Sequence, residues 1–201
     1  ALNPPIWNCR KRHTKLAGMR PALFLSLLLI GGPAFAAPAA PKATSEEQLF
    51  AQLKRAESAE DAHPIEQKLI AMFRASGSPS VDLLMTRANA ALATADNKTA
   101  KKLLEAVTAI APNYAEGWHA RAGMEQADGD DTAALVSLQK VVLLNPRHFN
   151  ALNELGDMLQ DYGDKAGALK LYRRALELDP QLEGATHKVR ELTTSVEGRD
   201  I

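Results

Sequence analysis

The chain has 201 residues, with 24 Lys or Arg and 24 Asp or Glu, so its formal net charge is zero. Five of the basic residues precede position 37, which leaves 19 against all 24 acidic ones in residues 37–201, a net charge near −5. Apolar residues make up 46% and aromatic residues 5%, a composition that favours helices. These figures argue against a β-sandwich, a disulfide-stapled miniprotein and a nucleic-acid binder.

Residues 1–36 are typical of a secretory signal. Basic residues precede an apolar run, Ala22–Ile30, that covers less than half of a ~30 Å hydrocarbon core. Ala34 and Ala36 supply the small residues of an A-x-A cleavage site, so we expect cleavage after Ala36 and export to the periplasm, with no stable membrane span left. A retained anchor is the alternative. Because Met19 stands where a signal would begin, our hypothesis is that residues 1–18 are a spurious extension.

The chain after the signal contains no cysteine, since the only one, Cys9, lies upstream of the apolar run. Neither a disulfide nor a thiolate nucleophile is therefore expected in the exported protein. Residues 37–44 are rich in Pro and Ala and predict an extended linker.

Residues 45–80 predict a helix pair that only weakly matches the pattern of the later part of the chain. Leu49, Phe50 and Leu53 form one apolar stripe, and a second stripe lies between positions 65 and 73. We expect Pro64 in the first turn of the second helix. Lys54 and Glu66 stand where later units have small residues, so the pair is interpreted as degenerate.

A period of 34 residues organises positions 81–180. Apolar, small, acidic and proline positions all recur at this step. The recurring sets are Pro112, Pro146 and Pro180; Ala100, Ala134 and Ala168; Leu104, Leu138 and Tyr172; Val107, Val141 and Ala175; Asp96, Asp130 and Asp164; Leu84, Trp118 and Leu152; and Ala88, Ala122 and Gly156. So many coincidences at one period predict a repeat architecture.

Each unit predicts two amphipathic helices, such as 149–160 and 165–178, separated by a turn at 162–164. Small residues at Gly156 and Ala168 would let the two backbones approach, and a proline would end the second helix. One helix pair cannot bury its own apolar surface, so the pairs must stack into a solenoid. Residues 181–201 predict a capping helix, over 181–196, and a tail.

These residues resemble the tetratricopeptide repeat, and the best copy is 149–182, in which Leu155-Gly156, Ala168, Tyr172, Ala175 and Pro180 match the pattern. The resemblance covers three units. It implies an all-α superhelix of antiparallel helix pairs, plus the degenerate N-terminal pair and the capping helix. It also implies a protein-interaction module whose first helices line a concave groove.

The groove candidates lie at steps of three and four on those first helices. They are Asp82, Met85, Asn89 and Leu92; Glu116, His119 and Gln126; and Asn150, Asn153, Asp157 and Gln160. This face is amide-rich and mildly acidic, suited to a peptide backbone or a basic segment. Some members of the family clamp a carboxylate here, but only Asn89 matches that set, because Met85, Ala120, Asn150 and Glu154 fill its other positions. Trp118 is interpreted as a packing residue.

Motifs for catalysis or metal binding are absent from the sequence. The five histidines show no pair at metal-ligand spacing, and Asp128-Gly129-Asp130-Asp131 lacks the glutamate of a calcium loop. We therefore expect no catalytic residue, metal or cofactor, and a periplasmic adaptor that binds a peptide or helix of another envelope protein. The alternative is an accessory subunit of an exported enzyme, or a cell-envelope or cell-wall factor, acting through its convex face or termini.

Overall fold

The computed structural model describes residues 45–198, which form nine helices and no strand. The helices are α1 (Ser45–Leu53), α2 (Ala59–Arg74), α3 (Pro79–Ala93), α4 (Asn97–Ile110), α5 (Ala115–Ala127), α6 (Asp131–Leu144), α7 (Phe149–Asp161), α8 (Lys165–Leu178) and α9 (Ala185–Glu197). The predicted signal, the linker and residues 199–201 lie outside the described residues. None of the helices in residues 45–198 has the length and apolar character needed to cross a membrane.

The 34-residue period corresponds to three helix pairs, α3–α4, α5–α6 and α7–α8, so the predicted all-α solenoid is confirmed. The recurring aspartates cap the second helix of each pair. The side chains of Asp96, Asp130 and Asp164 accept hydrogen bonds from backbone N–H groups three residues on, at 3.1, 3.1 and 2.8 Å. Such a cap satisfies a donor that the first helical turn leaves unpaired. The recurring prolines follow the ends of the same helices.

Small residues form the contact between the two helices of each pair. Ala88 and Ala122 on the first helices and Ala100, Ala134 and Ala168 on the second are completely buried. Larger residues at the next recurring positions are also fully buried and fill the space beside this contact. They are Leu104, Leu138 and Tyr172, with Val107 and Val141; the third pair has Ala175 at the position of the two valines. Helix axes can approach closely only where the facing side chains are small, so the predicted small positions set the spacing within each pair.

In the third pair, a different large residue faces a different small residue across the contact between the two helices. Where the first two pairs have Leu with Ala, this pair has the ring of Tyr172 with Gly156. A Cβ atom at Gly156 would lie 2.6 Å from Cε1 of the buried Tyr172 ring. The glycine is therefore required by the tyrosine, and the two departures from the repeat compensate each other in volume.

The first two helices form the predicted pair, but α2 begins earlier than expected. Ser58 caps it by accepting the N–H of Asp61 at 3.2 Å, and the helix starts at Ala59. Pro64 therefore lies inside the helix and not in its first turn, which corrects the prediction. The early start places Ala62 and Leu69 on one buried face. The free energy gained by this burial offsets the cost of the backbone hydrogen bond that Pro64 cannot make.

The α1–α2 pair lies across the turns that join successive pairs. Phe50, Leu53 and Leu69 share an apolar cluster with Phe149 at the start of α7, with Leu178 at the end of α8 and with Leu182 after it. The guanidinium of Arg147 lies 3.8 Å from the centroid of the Phe50 ring. The side chain of Gln181 donates to the carbonyl of Ala56 at 3.2 Å. The degenerate pair thus packs on the turns after α6 and α8, and α2 also contacts α5.

Helix α9 covers the far end of the solenoid. It begins at Ala185, four residues later than the predicted 181, because Gly184 adopts a left-handed conformation with φ 73°. Leu192 is buried against Ala168, Leu169 and Tyr172 of α8. The amphipathic helix therefore covers apolar surface that the third pair would otherwise leave to solvent.

The turn inside the first pair offers a test of backbone strain. Ala95 has φ 55°, where the other two pairs have Gly129 and Gly163 with φ 76° and 86°. A left-handed alanine costs about 1–2 kcal/mol, part of which the greater freedom of an unfolded glycine cancels. We expect Ala95→Gly to raise the free energy of unfolding by about 0.5–1 kcal/mol, measured by urea denaturation followed by circular dichroism. The matched change Gly129→Ala should lower it; if Ala95→Gly destabilises, the turn is not strained.

A buried carboxyl predicts how stability depends on pH. Asp179 is fully buried at the end of α8; Oδ1 accepts the N–H of Gln181 at 3.1 Å, while Oδ2 has no hydrogen-bond partner in residues 45–198. Burial, together with the negative charge of Glu66, raises the pKa of Asp179 to about 7. The unfolded chain releases this proton near pH ~4. Between those values the folded state binds the extra proton, so the free energy of unfolding falls as pH rises and levels off above about 7.

Asp179→Asn keeps the Oδ1 acceptor and removes the ionisable group. We expect it to flatten this dependence and to stabilise the protein at pH 8 by roughly 1–3 kcal/mol, measured by urea denaturation across the pH range. The control is Glu177→Gln on the exposed surface of the same helix, which should leave the profile unchanged. An unaltered profile in Asp179→Asn would show that another group is responsible.

Candidate functional site

The first helices of the repeats form an open groove between α3 and α5. Its cavity has a volume of about 600 Å³. It brings together seven of the predicted residues: Asp82, Met85, Asn89, Leu92, Glu116, His119 and Gln126. We call this surface the α3–α5 groove. Met85 and Met124 are buried beneath it, while Asp82, Asn89 and Gln126 are exposed around it.

The predicted residues of α7 do not line this cavity, because neighbouring side chains engage most of them. Lys188 of α9 donates to Asn153 at 3.3 Å and forms an ion pair with Asp157. The hydroxyl of Tyr172 lies 2.6 Å from Oδ1 of Asp157 and 3.1 Å from Oε1 of Gln160. Burial of Tyr172 and its contact with Asp157 raise the pKa of the phenol well above its usual range. Asn150 is half-buried at the start of α7.

Residues that the sequence did not single out as groove candidates complete the site. Arg74, at the end of α2, reaches Oε1 of Glu116 at 3.7 Å, and its carbonyl accepts the hydroxyl of Tyr114 at 2.7 Å. Glu154 of α7 also lines the cavity. Arg74 lines the groove because the α1–α2 pair packs beside α5, and the 34-residue pattern does not predict that placement.

An ion-pair network lies at the edge of the groove. Nε2 of His119 lies 2.9 Å from Oε2 of Glu154, and Nδ1 lies 3.6 Å from Oε2 of Glu116. Burial would lower the pKa of His119, but hydrogen bonds and charges from the two glutamates outweigh it and raise the pKa to about 10. Burial would likewise raise the pKa of Glu116, but His119 and His148 lower it to about 2. The two groups are therefore both charged at neutral pH.

This network also contains a set of residues with metal-ligand chemistry. Glu116, His119 and His148 place one possible ligand atom each within 4.8 Å of one another. The spacing of residues along the sequence does not indicate this set, because His148 comes from the next repeat and is brought near by the fold. Nδ1 of His148 accepts the N–H of Ala151 at 3.2 Å as the cap of α7. In the neutral ring the proton then lies on Nε2, which donates to Glu116 at 3.2 Å, so no lone pair is available there for a metal.

The capping role of His148 predicts the response to zinc. A metal bound to Nε2 would require the proton to move to Nδ1, where it would oppose the N–H of Ala151. We therefore expect neither micromolar ZnCl₂ nor EDTA to change the thermal midpoint of the full chain, measured by calorimetry. A rise in the midpoint with zinc that Glu116→Gln removes would contradict this assignment and identify a metal site.

Comparison with known proteins agrees with this architecture. Residues 149–182, the pair α7–α8, match the family model described as tetratricopeptide repeat. A TPR repeat-containing protein of Rhizobium etli is 37% identical over 76 residues, which are 38% of this chain and 37% of that protein. The chain contains a tetratricopeptide repeat. The matched stretch spans only about 37% of the length of the Rhizobium relative.

Solved structures share the tetratricopeptide fold at low sequence identity. The first TPR of Spaghetti (RPAP3) bound to the HSP90 peptide SRMEEVD gives a TM-score of 0.53 at 20% identity, covering 58% of this chain and 93% of that one. The Yersinia enterocolitica type III secretion chaperone SycD, in complex with a peptide of the translocator YopD, gives 0.50 at 16% identity, covering 60% and 92%. At these identities the likeness establishes the fold.

Proposed function

We propose that this chain is a non-catalytic adaptor of the bacterial periplasm that binds a peptide or helix of another envelope protein in the α3–α5 groove. The observation that carries the proposal is the groove itself. Its cavity of about 600 Å³ is open to solvent and combines buried methionines with exposed amide and carboxylate side chains. Methionine adapts to varied apolar partners, and amides can bond a peptide backbone.

The peptide complexes of the similar folds support a peptide-binding role. The RPAP3 and SycD structures each hold a peptide of another protein. In this chain, Lys188 and Tyr172 engage the groove candidates of α7, so we place the bound segment on α3 and α5. The basic, apolar and small-residue pattern of residues 1–36 supports export as part of the proposal.

A charge introduced into the groove should abolish partner binding. Asn89 is exposed on α3 and lines the cavity, so Asn89→Arg would place a long charged side chain in the space of the bound segment. We expect at least about a tenfold loss of affinity, a change of about 1.4 kcal/mol, because the segment would lose its contacts with this part of the groove. The measurement is photo-crosslinking in the cell envelope from a benzoylphenylalanine at Leu92, identified by mass spectrometry, with and without Asn89→Arg.

The matched control is Gln139→Arg on α6, an exposed amide outside the groove. It should leave both the crosslink and the helical spectrum unchanged. A crosslink from Leu92 that persists in Asn89→Arg, with the fold intact, would refute the groove as the binding surface.

A second candidate function uses the outer face of the solenoid. Val136 and Leu143 on α6 are 57% and 72% exposed and lie beside Trp118, whose indole N–H donates to the carbonyl of Pro112 at 2.9 Å. An apolar patch of this kind favours an accessory subunit that docks on an exported enzyme or a cell-wall factor. In that case Gln139→Arg would abolish partner binding and Asn89→Arg would not.

A further inference from the structure

The α3–α5 groove contains a carboxylate without a cationic partner. Oδ1 of Asp82 accepts the backbone N–H of Ser76 at 3.2 Å and also the hydroxyl of Ser76. No Lys, Arg or His in residues 45–198 forms an ion pair with Asp82. Its side chain is exposed at the start of α3, so the negative charge faces the cavity rim and the solvent.

The other two carboxylates of the groove share their cations. Glu116 and Glu154 both contact the single imidazole of His119, and Glu116 also has the guanidinium of Arg74 at 3.7 Å. Three carboxylates therefore line the cavity against two cations, which leaves one negative charge in excess. Were His119 neutral, the excess would be larger, so its sign does not depend on that proton.

The apolar part of the groove lies next to these charges. Met85 and Met124 are buried beneath the cavity, and Leu92 is half-buried beside them. A lysine or arginine combines a methylene stem with a terminal charge, so it matches an apolar floor with an acidic rim. An acidic segment would meet the same rim with like charge, a mismatch that costs affinity.

We propose that the α3–α5 groove selects partner segments that present a lysine or arginine to Asp82 and Glu154. This rests on the proposed function and names the chemistry of its partner. Each of these two carboxylates lines the cavity and can pair with a basic head group whose stem packs on the methionines. Asn89 and Gln126 bond the backbone of the same segment.

The experiment pans a library of short random peptides, displayed on phage, against the immobilised full-length chain. A recovered peptide is then synthesised with each Lys or Arg in turn replaced by Gln. Binding of both forms is measured by fluorescence polarisation to the native chain, to Asp82→Asn, to Glu154→Gln and to Glu177→Gln. The first two variants keep the side-chain shape while removing a groove charge, and the third removes a charge from the exposed surface of α8.

We expect recovered peptides to be enriched in Lys and Arg. Asp82→Asn and Glu154→Gln should each weaken binding about 3- to 10-fold, whereas Glu177→Gln should not. The effect of Asp82→Asn should shrink toward zero with the Gln form of the peptide, because a pairwise interaction vanishes when either partner is removed. Added salt should weaken the basic peptide more than its Gln form.

Two results would overturn the inference in distinguishable ways. If recovered peptides lose affinity in Asn89→Arg but neither carry basic residues nor respond to Asp82→Asn and Glu154→Gln, the groove binds peptides without selecting a cation. If they bind Asn89→Arg as well as the native chain, or if no peptide is recovered, the proposed function fails together with the inference.

Discussion

The architecture depends on the close contact between the two helices of each repeat. Alanine or glycine occupies both sides of that contact, and a fully buried large residue packs beside it. Because the contact recurs every 34 residues, each pair presents the same kind of apolar flank to the next pair, and stacking results. The concave surface is a product of this stacking. The groove between α3 and α5 exists because the small residues fix where the first helices lie.

The ends of the solenoid determine which part of the concave surface stays open. Helix α9 brings Lys188 onto Asp157 and Asn153, so these two polar side chains of α7 serve the internal structure. The α1–α2 pair packs over the turns after α6 and α8 and brings Arg74 beside Glu116. Between these two coverings remain the surfaces of α3 and α5. The two covered ends of the repeat array therefore leave α3 and α5 as the helices that mainly form the open part of a concave surface built from three repeats.

The fold was largely predictable from the sequence because its period is carried by many independent positions. The recurring aspartates, small residues and prolines placed α7 and α8 almost to the residue, and they indicated a solenoid without any structural information. The predictions weakened where the pattern ends. Pro64 was a poor guide to the start of α2, since the cap at Ser58 and the burial of Ala62 decide it.

From the sequence, helical spacing could indicate only which residues share one face of the same helix. Asp82, Asn89 and His119, which were chosen by helical spacing, line one cavity, because residues three and four apart share a helix face. It could not place Arg74 beside Glu116 or His148 beside His119, because those contacts join distant segments through tertiary packing. Nor could it show that Lys188 would engage the residues of α7. A repeat pattern specifies the scaffold and the candidates, whereas the packing of its ends selects among them.

The pairing of Tyr172 with Gly156 makes the third repeat a unit that cannot be exchanged freely. Its ring fills the volume that the glycine leaves, and its hydroxyl reaches Asp157 and Gln160 on the concave side. Transplanting α6 in place of α8 would set Leu138 opposite Gly156, leaving a void and removing the hydroxyl that two polar side chains share. Transplanting α8 in place of α6 would drive the ring against Ala122. The repeats have similar sequence patterns, but α7 and α8 must be transferred together if the third repeat is to keep its packing.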